Sequence, residues 1–149
     1  MKFWVLLIVL MAPSTLLADK GETSAGASVG VNSVGHPRAR GDFRLGLSDY
    51  WALQIETGLL LSVDSPGLLG GVAIVGALEV LHWVPEVLLG WEGMCYGEEG
   101  EEGAVVGRLI LRKYYSMAGS WWVGLGARHR VTDGGWEATA GAGVTWRLN

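Results

Sequence analysis

The chain has 149 residues, about one domain's worth, and its 11 basic and 15 acidic residues leave a net charge of −4, which excludes the basic surface that nucleic-acid binding needs. Half of the residues are hydrophobic and only 17% are charged, too apolar for a protein that must present its whole outside to water. The single cysteine, Cys95, cannot form an intrachain disulfide, so stability must come from another source.

Residues 1–18 read as a secretory signal, with Lys2 as a short basic start, an apolar run over 3–11 and a cleavage site ending at Ala18. That run is too short to cross a hydrocarbon core of about 30 Å as a helix. The remainder, 19–149, reads as one domain.

Residues 24–32 alternate, with Ala25, Ala27, Val29 and Val31 on one face and serines and glycines on the other, and form a first strand. A loop over 33–37 leads into a second strand at 38–48. It carries Arg38, Arg40, Asp42 and Arg44 opposite Phe43, Leu45 and Leu47. The third strand, 51–63, sets Trp51, Leu53, Ile55, Leu59, Leu61 and Val63 against Gln54, Glu56 and Ser62, and the turn Asp64-Ser65-Pro66-Gly67 ends it.

Residues 68–81 are nearly all apolar, but Gly70, Gly71, Gly76 and Glu79 interrupt them and Pro85 follows too soon for a spanning helix. They read as a fourth strand, with Val72, Ile74, Leu78 and Val80 outward and Ala73, Val75, Ala77 and Glu79 inward. A turn at His82-Trp83-Val84-Pro85 precedes the fifth strand, 86–96, which opposes Glu92 and Tyr96 to Val87, Leu89, Trp91 and Cys95.

Residues 97–103 read as an acidic, glycine-punctuated loop. It lacks the aspartate spacing of a calcium loop and is expected to be a solvated charge run. The sixth strand, 104–114, turns Arg108 and Arg112 away from Val105, Leu109 and Leu111. The last hairpin, 121–131 and 136–148 around a turn at Thr132-Asp133-Gly134-Gly135, alternates from end to end.

Eight strands joined by short connections predict an all-β fold, an eight-stranded antiparallel up-and-down transmembrane β-barrel preceded by a signal peptide. The greasy faces look toward lipid. The inward charges are Arg44, Arg108, Arg112, Arg128, Arg130 and Arg147 against Asp42, Glu56, Glu79, Glu92 and Glu137. A lumen just wide enough for side chains obliges them to pair, which predicts an Arg/Glu network that plugs the barrel and leaves no open pore. With both termini periplasmic, Trp51, Trp83, Tyr114, Tyr115, Trp121 and Trp146 gather at the periplasmic rim as an interfacial girdle, and Tyr96 and Trp136 fall at the other rim.

In this architecture the chain resembles the small eight-stranded outer-membrane barrels of the OmpA/OmpX type, which include opacity-like surface proteins. Thr139-x-Gly141-x-x-Val144-x-Trp146 is similar to the C-terminal signal read by the outer-membrane assembly machinery, although here Arg147-Leu148-Asn149 follow the final aromatic. The resemblance implies a Gram-negative-type cell envelope and an outer-membrane location. Expected partners are outer-membrane lipids, the assembly machinery and unidentified envelope or surface proteins, with a structural or surface-interaction role and no enzyme activity, cofactor or metal.

The sequence leaves two other readings open. Some small outer-membrane barrels are lipid A deacylases with a His-x-Ser pair, but the residue two after His129 is Val131, so the serine is missing. A soluble exported lipocalin-like barrel would turn the same greasy faces inward around an apolar ligand.

Overall fold

A computed structural model describes residues 21–61, 66–78, 83–96 and 100–148. The expected signal segment and Glu79 lie outside the described residues. The chain forms β1 (Thr23–Asn32), β2 (Pro37–Ser48), β3 (Trp51–Leu60), β4 (Gly67–Ala77), β5 (Trp83–Tyr96), β6 (Gly100–Ser116), β7 (Gly119–Arg130) and β8 (Trp136–Arg147). Each strand pairs antiparallel with its neighbours in sequence, and β1 pairs with β8 to close a barrel.

The pairing register fixes the shape of the cylinder. A circuit along directly paired residues leaves β7 at Ser120, passes Thr145, Gly26, Asp42, Glu56, Gly71, Glu92 and Ala104, and returns to β7 at Arg130. The ladder has therefore slipped ten residues in one turn. That stagger goes with strands tilted by roughly 40° and an interior that side chains alone can fill.

Of the strand boundaries that differ from the sequence reading, two bear on the interior. The turn expected at 82–85 is partly strand, because Trp83, Val84 and Pro85 open β5. Proline's missing N–H is tolerated here since the β4–β5 ladder ends at Ala77 and Glu86, one residue earlier, and the Pro85 carbonyl accepts the N–H of Leu78 at 3.1 Å. The acidic stretch is not all loop either. β6 begins at Gly100, with Glu101 paired to Cys95 and Glu102 to Met94.

Alternation sorts the two walls. Outward lie Phe43, Leu45, Ile55, Val72, Ile74, Leu89, Leu109 and Leu125, all exposed. Inward lie Arg38, Glu56, Glu86, Glu92, Arg112 and Arg128, all buried. This is the reverse of a lipocalin, so the ligand-binding reading does not describe this barrel.

The glycines of β8 follow from what crosses the lumen. The Trp122 indole lies against the inner wall, and a Cβ added at Gly143 would stand 2.8 Å from its Cε2 and 2.6 Å from the Ala27 carbonyl oxygen. Glycine is required there by space. At Gly134, in the β7–β8 turn, it is required by a φ of 70°.

Candidate functional site

The inward charges form two clusters. In the first, Glu92 accepts hydrogen bonds from four arginines that reach it from three other strands: Arg38 at 3.2 Å and Arg40 at 2.6 Å from β2, Arg108 at 3.3 Å from β6, and Arg128 at 3.0 Å from β7. Its partners are themselves shared. Arg108 and Arg40 also reach Glu56, Arg38 also reaches Glu137, and Arg128 reaches Glu102 at 2.7 Å. In the second cluster Glu86 accepts Arg112 Nε at 2.6 Å and Arg44 Nη1 at 3.0 Å. Arg112 adds Ser120 at 2.9 Å and Thr145 at 2.7 Å.

Gln54 joins the two clusters. Its carbonyl accepts Arg44 Nε, and its amide donates to Glu56 at 2.6 Å. Between the clusters the β3–β7 side of the lumen is apolar, built by Ala73, Val75, Leu88, Val106, Ile110 and Trp122. Isolated charges in such surroundings would carry a desolvation cost of several kcal/mol each. Multiple pairing and bidentate geometry offset it.

The voids found beside these groups are small. A void of about 30 Å³ beside Ser28, Arg38, Arg40 and Thr139 is the size of one or two waters. A recess of about 50 Å³ at one mouth is lined by Glu22, Arg44, Tyr114 and Arg147 among others.

The outward wall is the complement of this interior. Among the described residues its only charged side chains are Glu101 and Lys113, at opposite ends of the outward row of β6. They stand twelve positions apart, which at about 3.3 Å per residue and a tilt near 40° is a height of roughly 30 Å. That matches a hydrocarbon core.

No family model and no curated protein sequence matches the chain. Solved structures do. The N-terminal β-barrel domain of Pseudomonas aeruginosa OprF superposes with a TM-score of 0.75 over 87% of this chain and 98% of that one, at 14% identity. The fold is that of the small eight-stranded transmembrane barrels. A de novo designed transmembrane β-barrel gives a TM-score of 0.70 at 16% identity, covering 89% of this chain and 99% of that one. Neisserial surface protein A gives 0.60 at 9% identity over 85% and 95%.

Within this transmembrane-barrel fold, the residues singled out from sequence fall as follows. Arg44, Glu56, Glu92, Arg108, Arg112, Arg128 and Glu137 lie in the two clusters. Arg130 and Arg147 stand at the two mouths, 32% and 28% exposed, paired with Asp133 at 3.0 Å and with Glu22 respectively. Trp51, Tyr115, Trp121 and Trp146 are exposed on the outward wall at one rim. Trp83 sits at the same rim but opens β5 instead of closing β4, and its ring meets that of Trp121 edge-on, 5.4 Å between centroids.

Tyr114 departs from the expected girdle. It shares the phase of Arg108 and Arg112, so it lines the mouth recess beside Arg44 and Arg147. In the closing strand Thr139 and Gly141 take the inward phase of Glu137, while Val144 and Trp146 take the outward phase. His129 lies on the outward wall with its ring 4.4 Å from that of Trp136.

Sequence reasoning passed over Arg38, Arg40, Glu86 and Glu102 as network members, and Gln54 as the link. Parity puts Glu86 and the two arginines on the inward face but does not tell their depth. Finding Glu102 required knowing where β6 begins.

Proposed function

We propose that this chain is an integral outer-membrane β-barrel with a structural or surface-interaction role, its lumen plugged by the Arg/Glu clusters so that it conducts nothing. The observation that carries the reading is the inversion of the two walls: a charge-free apolar band about as tall as a bilayer core outside, and Glu92 with four arginines inside. Such an exterior is costly in water and stabilising in lipid.

The same reading takes the strand ending Thr139-x-Gly141-x-x-Val144-x-Trp146 as the signal for the assembly machinery, and the 1–18 segment as the export signal. Connections between strands are short, which leaves little surface for an envelope partner and favours a scaffold role. A catalytic role is disfavoured because His129 stacks on Trp136 and is followed two residues on by Val131, without a hydroxyl nucleophile.

The test is fractionation with carbonate washing, together with bilayer recording. The protein is expected to stay with the envelope pellet, to migrate faster on gels unheated than boiled, and to give no discrete current steps. Release into the supernatant overturns the membrane reading, and regular conductance steps overturn the plugged lumen.

A further inference from the structure

Among the described residues, one basic side chain on the outward wall has no carboxylate partner. Lys113 is the sole lysine among the described residues, and none of their acidic groups pairs with it. Its place is defined by its neighbours. In the ladder it stands directly opposite Trp83 of β5 on one side and Trp121 of β7 on the other.

Strands β5 and β7 flank β6, so their backbones are roughly 9–10 Å apart at this level. The two indole rings nevertheless approach to 5.4 Å at 87°. They therefore lean in over the lysine, whose Nζ lies 5.1 Å from the centre of the Trp83 ring. The contact holds the ammonium at the rim by cation–π attraction, and among the described residues no group accepts its N–H donors.

Below this trio the next outward residues are Pro85, Leu111 and Val123, all exposed. A polar, positively charged head thus sits immediately above an apolar slope. We propose that Trp83, Lys113 and Trp121 form a binding site for the phosphodiester of an anionic phospholipid, whose acyl chains lie along Pro85, Leu111 and Val123 and on toward Val87. The ammonium supplies charge-assisted hydrogen bonds to the phosphate oxygens, and the indole rings hold the glycerol level of the bilayer. This inference rests on the membrane reading above.

The experiment is native mass spectrometry of the full chain folded in detergent and supplied with phosphatidylglycerol or phosphatidylcholine of identical acyl chains. One tightly retained lipid is expected, with phosphatidylglycerol favoured by about fivefold, the effect of one surface lysine on an anionic lipid. Lys113→Gln should abolish the preference, Lys113→Arg should keep it, and Trp83→Leu should weaken it. Equal retention of the two lipids, or a preference that survives in Lys113→Gln, overturns the proposal. Inorganic phosphate at millimolar concentration should not displace the lipid, and displacement by phosphate alone overturns the lipid assignment. Gel mobility separates the two levels: a folded, vesicle-inserted barrel without lipid preference sinks this inference only, whereas failure to insert into any vesicle sinks the membrane reading with it.

Discussion

Glu92 accepts the Nε–H of Arg128 at 3.0 Å with both side chains only 1% exposed, and three further arginines share the same carboxylate. Removing that carboxylate takes the shared partner from four buried or nearly buried guanidinium groups. Glu92→Leu should therefore destabilise the folded barrel by about 3–5 kcal/mol, the usual consequence of leaving buried charge uncompensated. Glu92→Gln, which keeps an acceptor, should cost less. Urea unfolding in lipid vesicles, followed by tryptophan fluorescence, measures both. Parent-like stability in Glu92→Leu would show that Glu56, Glu102 and Glu137 suffice alone.

Gln54 is the only side chain described that touches both clusters, through Arg44 and Glu56. Gln54→Leu removes an acceptor and a donor from buried charged partners and should cost about 1–3 kcal/mol. It should also disconnect the clusters. Arg44→Met and Glu56→Gln are expected to be coupled in the parent and additive to within about 0.5 kcal/mol in the Gln54→Leu background. A double-mutant cycle in each background checks this.

Leu109 sits near mid-height on the outward wall, 67% exposed. Leu109→Arg should cost about 2–4 kcal/mol in a bilayer, falling toward zero for a substitution at the rim such as Tyr115→Arg. Equal penalties at both depths in vesicle refolding would mean that no hydrocarbon band surrounds the barrel.

Glycine substitution should discriminate between the two walls. A Cβ at Gly143 meets the Ala27 carbonyl at 2.6 Å and Trp122 at 2.8 Å, whereas one at Gly107 meets only Leu89 Cδ2 at 3.5 Å. Gly143→Ala should lose about 1–3 kcal/mol through overpacking, and Gly107→Ala should be neutral or better. Thermal or urea unfolding of the pair is the measurement.

How much of this could be read from the chain depends on what a period of two can convey. In β7 and β8 the alternation of Val123, Leu125 and Ala127 with Gly124, Gly126 and Arg128 names both walls at once. Parity likewise put Arg38 and Arg40 on the face of Arg44. It cannot report depth, and these two lie next to a loop, where an exposed rim position looks the same as a buried one. Glu86 was hidden by the proline before it, which imitates a turn. Glu102 was hidden by glycines and neighbouring glutamates that imitate a solvated loop, although its carboxylate reaches Arg128.

The convergence on Glu92 is a property of the ten-residue stagger, which sets which residues face one another across the lumen. No local pattern encodes it. The same holds for Lys113, whose two tryptophans are about thirty residues upstream and eight downstream.

The seam between β1 and β8 has a kinetic meaning. Nine residue pairs, from Ser24 with Arg147 to Asn32 with Thr139, can form only after the C-terminal strand has been synthesised. Until then the first strand to emerge has no partner on that side, and its amides would be intolerable in hydrocarbon. If the proposed membrane reading holds, the β1–β8 seam obliges the chain to enter lipid only when its two ends can meet, so insertion and closure are expected to be one event.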